Sequence, residues 1–181
     1  MQIKKPLNSL VDCELNIPIS GVVTNSQEVK PGFLFVCIMG AKTDRHDYID
    51  QAVANGAAAL VVSKDVDVEV PYVKVEDTNA ALPEICNRFY DDPLSKLKIL
   101  AVTGTDGKTT TASIVSQLIG QDTCAYIGTN GLAFAGRQIE TLNTTPAYEY
   151  FCKYAREVLD AGCEYLCMEA SSEAMLFHRL D

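Results

Sequence analysis

The sequence predicts an α/β protein: a small N-terminal α/β domain followed by a mostly parallel, doubly wound sheet that opens on a phosphate-loop turn. Three observations carry this. Short apolar runs of strand length alternate with stretches of helical apolar spacing across the 181 residues. A turn-rich stretch, Asp91-Asp92-Pro93-Leu94-Ser95, interrupts the apolar pattern and divides the chain into residues 1–95 and 96–181. Beyond it, Ile99-Leu100-Ala101-Val102 runs straight into a glycine-containing turn and then a helical stretch.

In the first part, Phe33 to Ile38 reads as a buried strand, Tyr48 to Asn55 as a helix ended by Gly56, and Ala58 to Ser63 and Tyr72 to Val75 as further strands. Thr78 to Tyr90 has helical spacing, with Pro83 set inside it against the pattern. In the second part, a helix over Thr109 to Ile119 follows the glycine turn. Cys124 to Ile127 reads as a strand, Leu132 to Ile139 as a hairpin around Gly136, and Ala147 to Ala161 as a helix stopped by Gly162. Tyr165-Leu166-Cys167-Met168 is another buried strand, with Glu169 at its carboxyl end.

Acidic side chains outnumber basic ones 24 to 15, a net charge of −9 that argues against a nucleic-acid partner. With 48% hydrophobic and 22% charged residues the chain has ordinary globular usage, which excludes disordered and collagen-like classes. The seven cysteines are an odd number, lie mostly in apolar runs and form no C-x-x-C pair. They are therefore expected to be reduced, buried thiols of a cytoplasmic protein, not disulfides or zinc ligands. Met1 to Leu10 is polar and holds Pro6, unlike a secretory signal, and no segment approaches the roughly 18 apolar residues of a membrane span.

The segment Gly104-Thr105-Asp106-Gly107-Lys108-Thr109-Thr110 carries the chemistry. Small residues let backbone N–H groups approach an anion, the following helix points its positive end at it, and Lys108 adds a charge for the terminal phosphates. Thr109 can offer its hydroxyl to Mg²⁺. The match is to a variant of the G-x-x-x-x-G-K-[ST] loop, because Val102 stands where the first glycine would be. Glu169 falls at the carboxyl edge of the sheet, where doubly wound folds gather ligands, and is a candidate to hold the nucleotide's metal.

Several ordered motifs together resemble the Mur ligases, and within them the MurE branch, which adds the third amino acid to UDP-N-acetylmuramoyl-L-alanyl-D-glutamate. They are Thr24-Asn25-Ser26 with Val29, Pro31-Gly32 and Leu34-Phe35-Val36; the Gly104–Thr110 loop; Asn143-Thr144-Thr145-Pro146; and Met168-Glu169-Ala170-Ser171-Ser172 with His178-Arg179. The resemblance implies a UDP-sugar-binding domain over residues 1–95 and the first part of a P-loop-type ATPase domain over 96–181. It implies that Thr24 and Ser26 lie by the uracil, with Ala41, Lys42 and Thr43 in a nearby loop. Asn143, Thr144, Thr145, Ser171 and Arg179 would contact the pyrophosphate, sugar or peptide.

The activity implied is an ATP- and Mg²⁺-dependent amide ligation through an acyl phosphate in peptidoglycan precursor synthesis, with a diamino acid as third substrate. The family's C-terminal domain, with its amino-acid-selecting motif, would lie beyond Asp181, so residues 1–181 are expected to be an incomplete piece that does not ligate alone. Asp106 replaces the Asn usual in this loop, Gln27 an Arg, Arg45 a Gly, Glu173 a His and Phe177 a polar residue. Another Mur-type ligase, a folylpolyglutamate synthase-like protein, or a noncatalytic nucleotide or UDP-sugar module are the competing readings. The folate branch is disfavoured by the Thr-Asn-Ser and Leu-Phe-Val segment.

Overall fold

The computed structural model describes residues 3–40, 43–141 and 143–172. The chain divides into two compact units, residues 1–90 and 91–181. The turn pair Asp91-Asp92, where both residues hold positive φ (64° and 48°), begins the second unit.

In the first unit, β1 (Lys5–Pro6) pairs antiparallel with β2 (Pro18–Ile19). The main sheet is parallel, in the order β3 (Gly21–Val23), β4 (Phe33–Val36), β5 (Ala59–Val62) and β6 (Tyr72–Lys74). Every residue of β5 is buried, as expected for an inner strand of a parallel sheet covered on both faces. Helix α1 (Ile49–Ala54) places Ile49 and Ala52 against Phe35, Leu60 and Val62. Helix α2 (Thr78–Tyr90) runs through Pro83 without ending. An interior proline costs about 3 kcal/mol. Burial of Leu82, Ile85, Cys86 and Phe89 on one face offsets it, at roughly 1.5–3 kcal/mol for each large apolar side chain. The Asp77 carboxylate also caps the helix start, accepting from Asn79 N at 2.8 Å and Ala80 N at 3.3 Å.

The second unit begins with β7 (Lys98–Val102), followed by α3 (Lys108–Ile119), β8 (Cys124–Gly128), the hairpin of β9 (Gly131–Phe134) and β10 (Arg137–Ile139), α4 (Tyr148–Asp160) and β11 (Tyr165–Glu169). Its sheet has the order β10-β9-β8-β11-β7, parallel across β8, β11 and β7 and antiparallel across the hairpin. Strand β11 is thus inserted between the first two strands of the unit. Among the described residues β7 is the outer strand, and its Ile99 and Leu100 are 38% and 36% exposed.

Side chains alternate across this sheet with the period of two that strands impose. Ala125, Ile127, Leu166 and Met168 point to one face, where they pack with Phe151, Ala155 and Val158 of α4. Cys124, Tyr126 and Cys167 point to the other, against Ala112 of α3. Continuing the count one step places Glu169 on the α3 face, beside Tyr126. Six of the seven cysteines are buried in these cores, and Cys13 is half-exposed, a departure from the expectation that all would be buried. Cys163 and Cys167 pack in separate apolar clusters. No helix among the described residues is long and apolar enough to cross a membrane.

Candidate functional site

The register of the parallel strands builds the site. Glu169 pairs with Val102 of β7 and Met168 with Ile127 of β8, so the carboxyl ends of all three strands meet at one edge. Val102 takes the position of the loop's missing glycine because it is still strand, its carbonyl accepting from Ala170 N at 2.9 Å. The chain then turns through residues 103–107 into α3. Gly107 occupies the helix cap in left-handed conformation, with φ 77°. A glycine takes this conformation without strain and offers no side chain to the first-turn N–H groups, which leaves that turn suited to an anion. The loop residues from Gly104 to Gly107, with Thr110, are exposed. Lys108 rests its ammonium on the loop's own carbonyls, Gly104 O at 2.7 Å and Thr105 O at 3.2 Å.

Glu169 is the centre of the arrangement. Only 1% exposed, its carboxylate accepts from four neutral donors. Oε1 takes the Tyr126 hydroxyl and Thr129 N, the latter at 3.0 Å. Oε2 takes the hydroxyls of Thr109 at 2.9 Å and Thr129 at 3.2 Å. Burial pushes its pKa up, but the hydrogen bonds from Tyr126, Thr129 N and the Thr109 and Thr129 hydroxyls outweigh it and hold the carboxyl below its usual value. The same geometry acts in reverse on Tyr126, whose phenol is pushed well up by burial and by donating to Glu169.

A divalent cation fits this donor set. One ionised carboxylate beside one hydroxyl, both oxygen, suits Mg²⁺, which keeps waters and phosphate oxygens as its remaining ligands. Among the described residues the buried charge is met by neutral donors, so a cation at Oε2 would meet a carboxylate that none of the described cations pairs.

Three of the residues expected from the resemblance join this cluster. Thr144 Oγ1 lies 3.2 Å from Thr129 Oγ1, and Thr145 donates its hydroxyl to the Glu169 carbonyl at 2.9 Å. Ser171 approaches Thr145 through its hydroxyl and its N–H, both at 3.4 Å from Thr145 Oγ1. Asn143 is exposed beside them and lines a cleft with Tyr150 and Tyr154. In the first unit, Thr24 and Ser26 are buried, and the Ser26 hydroxyl donates to Gln51 Oε1 at 2.6 Å. Thr43 is exposed, its carbonyl taking Gly40 N at 2.9 Å. Ala41, Lys42 and Arg179 lie outside the described residues, as do Glu173 and Phe177.

Sequence reasoning missed Tyr126, Gly128 and Thr129. The one available signal was a Gly-Thr pair directly after a buried strand, at the edge where ligands collect. Gly128 is required by close approach: a Cβ there would collide with the Glu169 carboxylate and the Tyr126 hydroxyl. Gly128→Ala is therefore expected to cost about 1–3 kcal/mol of stability, the range of overpacking, measured by urea unfolding.

Comparison with known proteins gives the family and the fold. Residues 18–90 match the Mur ligase family, catalytic domain, and residues 102–181 the Mur ligase middle domain. A UDP-N-acetylmuramoyl-L-alanyl-D-glutamate–2,6-diaminopimelate ligase of Clostridium acetobutylicum is 36% identical over all of this chain and 40% of its own length. The corresponding ligase of Clostridioides difficile is 34% identical over 93% of this chain and 35% of its own. A solved structure of a ligase of the same name shares the fold, with TM-score 0.76 and 24% identity over 98% of this chain and 38% of that one. The MurF ligase of Thermotoga maritima, solved in complex with ADP, is 26% identical with TM-score 0.57, over 84% of this chain and 32% of its own. The chain thus spans 35–40% of the length of these two curated relatives. Two family matches that together run from residue 18 to 181 with a gap only at 91–101, on a fold shared with solved Mur ligases, make this chain a member of the Mur ligase family.

Proposed function

We propose that the chain supplies the UDP-sugar-binding domain, residues 1–95, and the first part of the ATP-binding domain, residues 96–181, of a cytoplasmic peptidoglycan precursor ligase. The enzyme would join a diamino acid to UDP-N-acetylmuramoyl-L-alanyl-D-glutamate at the expense of ATP. The observation that carries this reading is the continuity of the site: Thr109, directly after Lys108, donates to Glu169, whose carboxylate is linked through Thr129 to Thr144 and whose carbonyl takes Thr145, itself in contact with Ser171.

In this reading the loop from Gly104 to Thr110 binds the phosphates at the start of α3. Lys108 turns from the Gly104 and Thr105 carbonyls to the terminal phosphate, where its charge offsets the negative charge that develops during transfer. The substrate's free carboxylate attacks the γ-phosphorus, the bond to ADP breaks, and an acyl phosphate forms. The incoming amine then attacks the acyl carbon and inorganic phosphate leaves, giving the amide. Mg²⁺, held by Thr109 and Glu169, would supply electrostatic neutralisation of the phosphates. Asn143, Thr144, Thr145, Ser171 and Arg179 hold the sugar-phosphate and peptide side of the substrate, and Thr24, Ser26 and the Ala41-Lys42-Thr43 loop its uracil end.

Isothermal titration of this chain with UDP and with UDP-N-acetylmuramoyl-L-alanyl-D-glutamate tests the reading. Hydrogen bonds to charged groups contribute about 1.5–3 kcal/mol each, so one added contact in the second unit gives the muramoyl dipeptide at least a roughly tenfold advantage over UDP. Equal affinities, or binding of neither, contradict it.

A further inference from the structure

We propose that Thr129 is a positioning residue that couples the nucleotide end of the site to the Asn143-Thr144-Thr145 segment through a hydroxyl chain whose direction reverses when a cation occupies Glu169. The inference rests on the functional reading above and assigns a role to a residue that reading does not use.

Thr129 touches both sides of the site. Its N–H holds Glu169 Oε1 at 3.0 Å, and its hydroxyl lies 3.2 Å from Glu169 Oε2 and 3.2 Å from Thr144 Oγ1. A hydroxyl has one proton, and an ionised carboxylate only accepts. The Thr129 proton is therefore used on Glu169, and the proton between Thr129 and Thr144 belongs to Thr144. The chain of donation runs from Thr144 to Thr129 to Glu169.

Oε2 already accepts two hydroxyl protons, from Thr109 and Thr129, at distances of 2.9 and 3.2 Å, which fills the acceptor directions of one carboxylate oxygen. A divalent cation drawn to Oε2 needs one of those directions. The longer of the two bonds is the one to Thr129. Its displaced proton has a second acceptor in reach, Thr144 Oγ1, so Thr129 turns and becomes the donor to Thr144. Thr144 then has its own proton to give, and it sits beside exposed Asn143 on the side proposed for the anionic substrate. Each proton stays on its own oxygen, and only two hydroxyl rotors move. The Oε1 side, fixed by Tyr126 and Thr129 N, keeps the carboxylate in place throughout.

The consequence is thermodynamic coupling. Loading the cation with its nucleotide adds a donor for the UDP-sugar, and by linkage the UDP-sugar tightens binding of the cation and nucleotide by the same factor. Thr129→Val removes the hydroxyl, keeps the backbone N–H on Oε1 and conserves shape. Thr129→Ser keeps the whole chain.

The test is calorimetric titration of the 181-residue chain with Mg²⁺ and a nonhydrolysable ATP analogue, with and without UDP-N-acetylmuramoyl-L-alanyl-D-glutamate. In wild type and Thr129→Ser the substrate is expected to tighten analogue binding about fivefold or more, the lower end of typical coupling. In Thr129→Val both ligands still bind and the factor falls to about one; a merely structural role weakens both ligands and leaves the factor unchanged. If the valine variant does not keep the wild-type pattern of amide resonances, Thr129→Ala serves in its place. A wild-type factor of one, with both ligands binding, overturns the coupling alone, as does an undiminished factor in the valine or alanine variant. A wild-type chain that binds neither ligand overturns the functional reading and the coupling with it.

Discussion

Glu169→Ala is expected to destabilise the second unit by about 3 kcal/mol or more, because a buried donor left without its acceptor costs about 1–3 kcal/mol and this carboxylate serves several. The Thr109 and Thr129 hydroxyls can turn to other acceptors, whereas Thr129 N cannot. Glu169→Gln separates the structural part from the electrostatic part. Its amide oxygen can face Tyr126 and Thr129 N, while its NH₂ faces the two hydroxyls, which rotate to accept. The glutamine variant should stay folded and lose the dependence of nucleotide binding on Mg²⁺. Chemical denaturation followed by circular dichroism measures the first effect, and nucleotide titration with and without Mg²⁺ the second.

The pH dependence follows with a definite sign. Because the folded carboxyl is held below its ordinary value, starting from 4.5, the stability it contributes is complete above that value. It is lost as the pH falls from there through the lower folded value. Wild type should therefore lose stability relative to Glu169→Gln as the pH drops below 4.5.

Lys108→Ala is the second large effect. In a form of the protein that turns over, loss of one preorganised charge at a developing anion costs about 3 kcal/mol of barrier, roughly a hundredfold in kcat. Binding of the UDP-sugar should change little, since among the described residues the ammonium's hydrogen bonds go to the Gly104 and Thr105 carbonyls. Steady-state kinetics alongside UDP-sugar titration checks this, and an unchanged kcat contradicts the role given to the loop.

Much of the second unit was legible in the sequence because its signals are local. The apolar run before Gly104, the Gly107-Lys108-Thr109 helix start and the Gly162 stop each read within a few residues, and each element lies within one or two residues of its expected bounds. Strand β3 was not legible. Gly21–Val23 is three residues long and bounded by Ser20 and Thr24, too short for a period to show, and it exists through pairing with Phe33–Phe35. Pro83 argued against a continuous helix on local grounds, and the buried face of α2 overrode it.

The candidate site divides in the same way. Lys108, Thr109 and Glu169 are found from motif and strand end. Tyr126, Gly128 and Thr129 are brought to Glu169 by the insertion of β11 beside β8, a register that no local pattern encodes. In the first unit, the Ser26 hydroxyl donates to Gln51 Oε1 in a buried position, a contact 25 residues along the chain that the Thr24-Asn25-Ser26 motif does not encode.

The central claim is that the Gly104–Thr110 loop and Glu169 form one Mg²⁺-dependent nucleotide site. Amide chemical-shift titration of the isotope-labelled chain with ADP, in Mg²⁺ and then in chelator, tests it most directly. The account predicts saturable shifts at residues 104–110, 129 and 169 that need Mg²⁺ and vanish in Lys108→Ala. Shifts confined to other residues, or identical shifts in chelator, would contradict it.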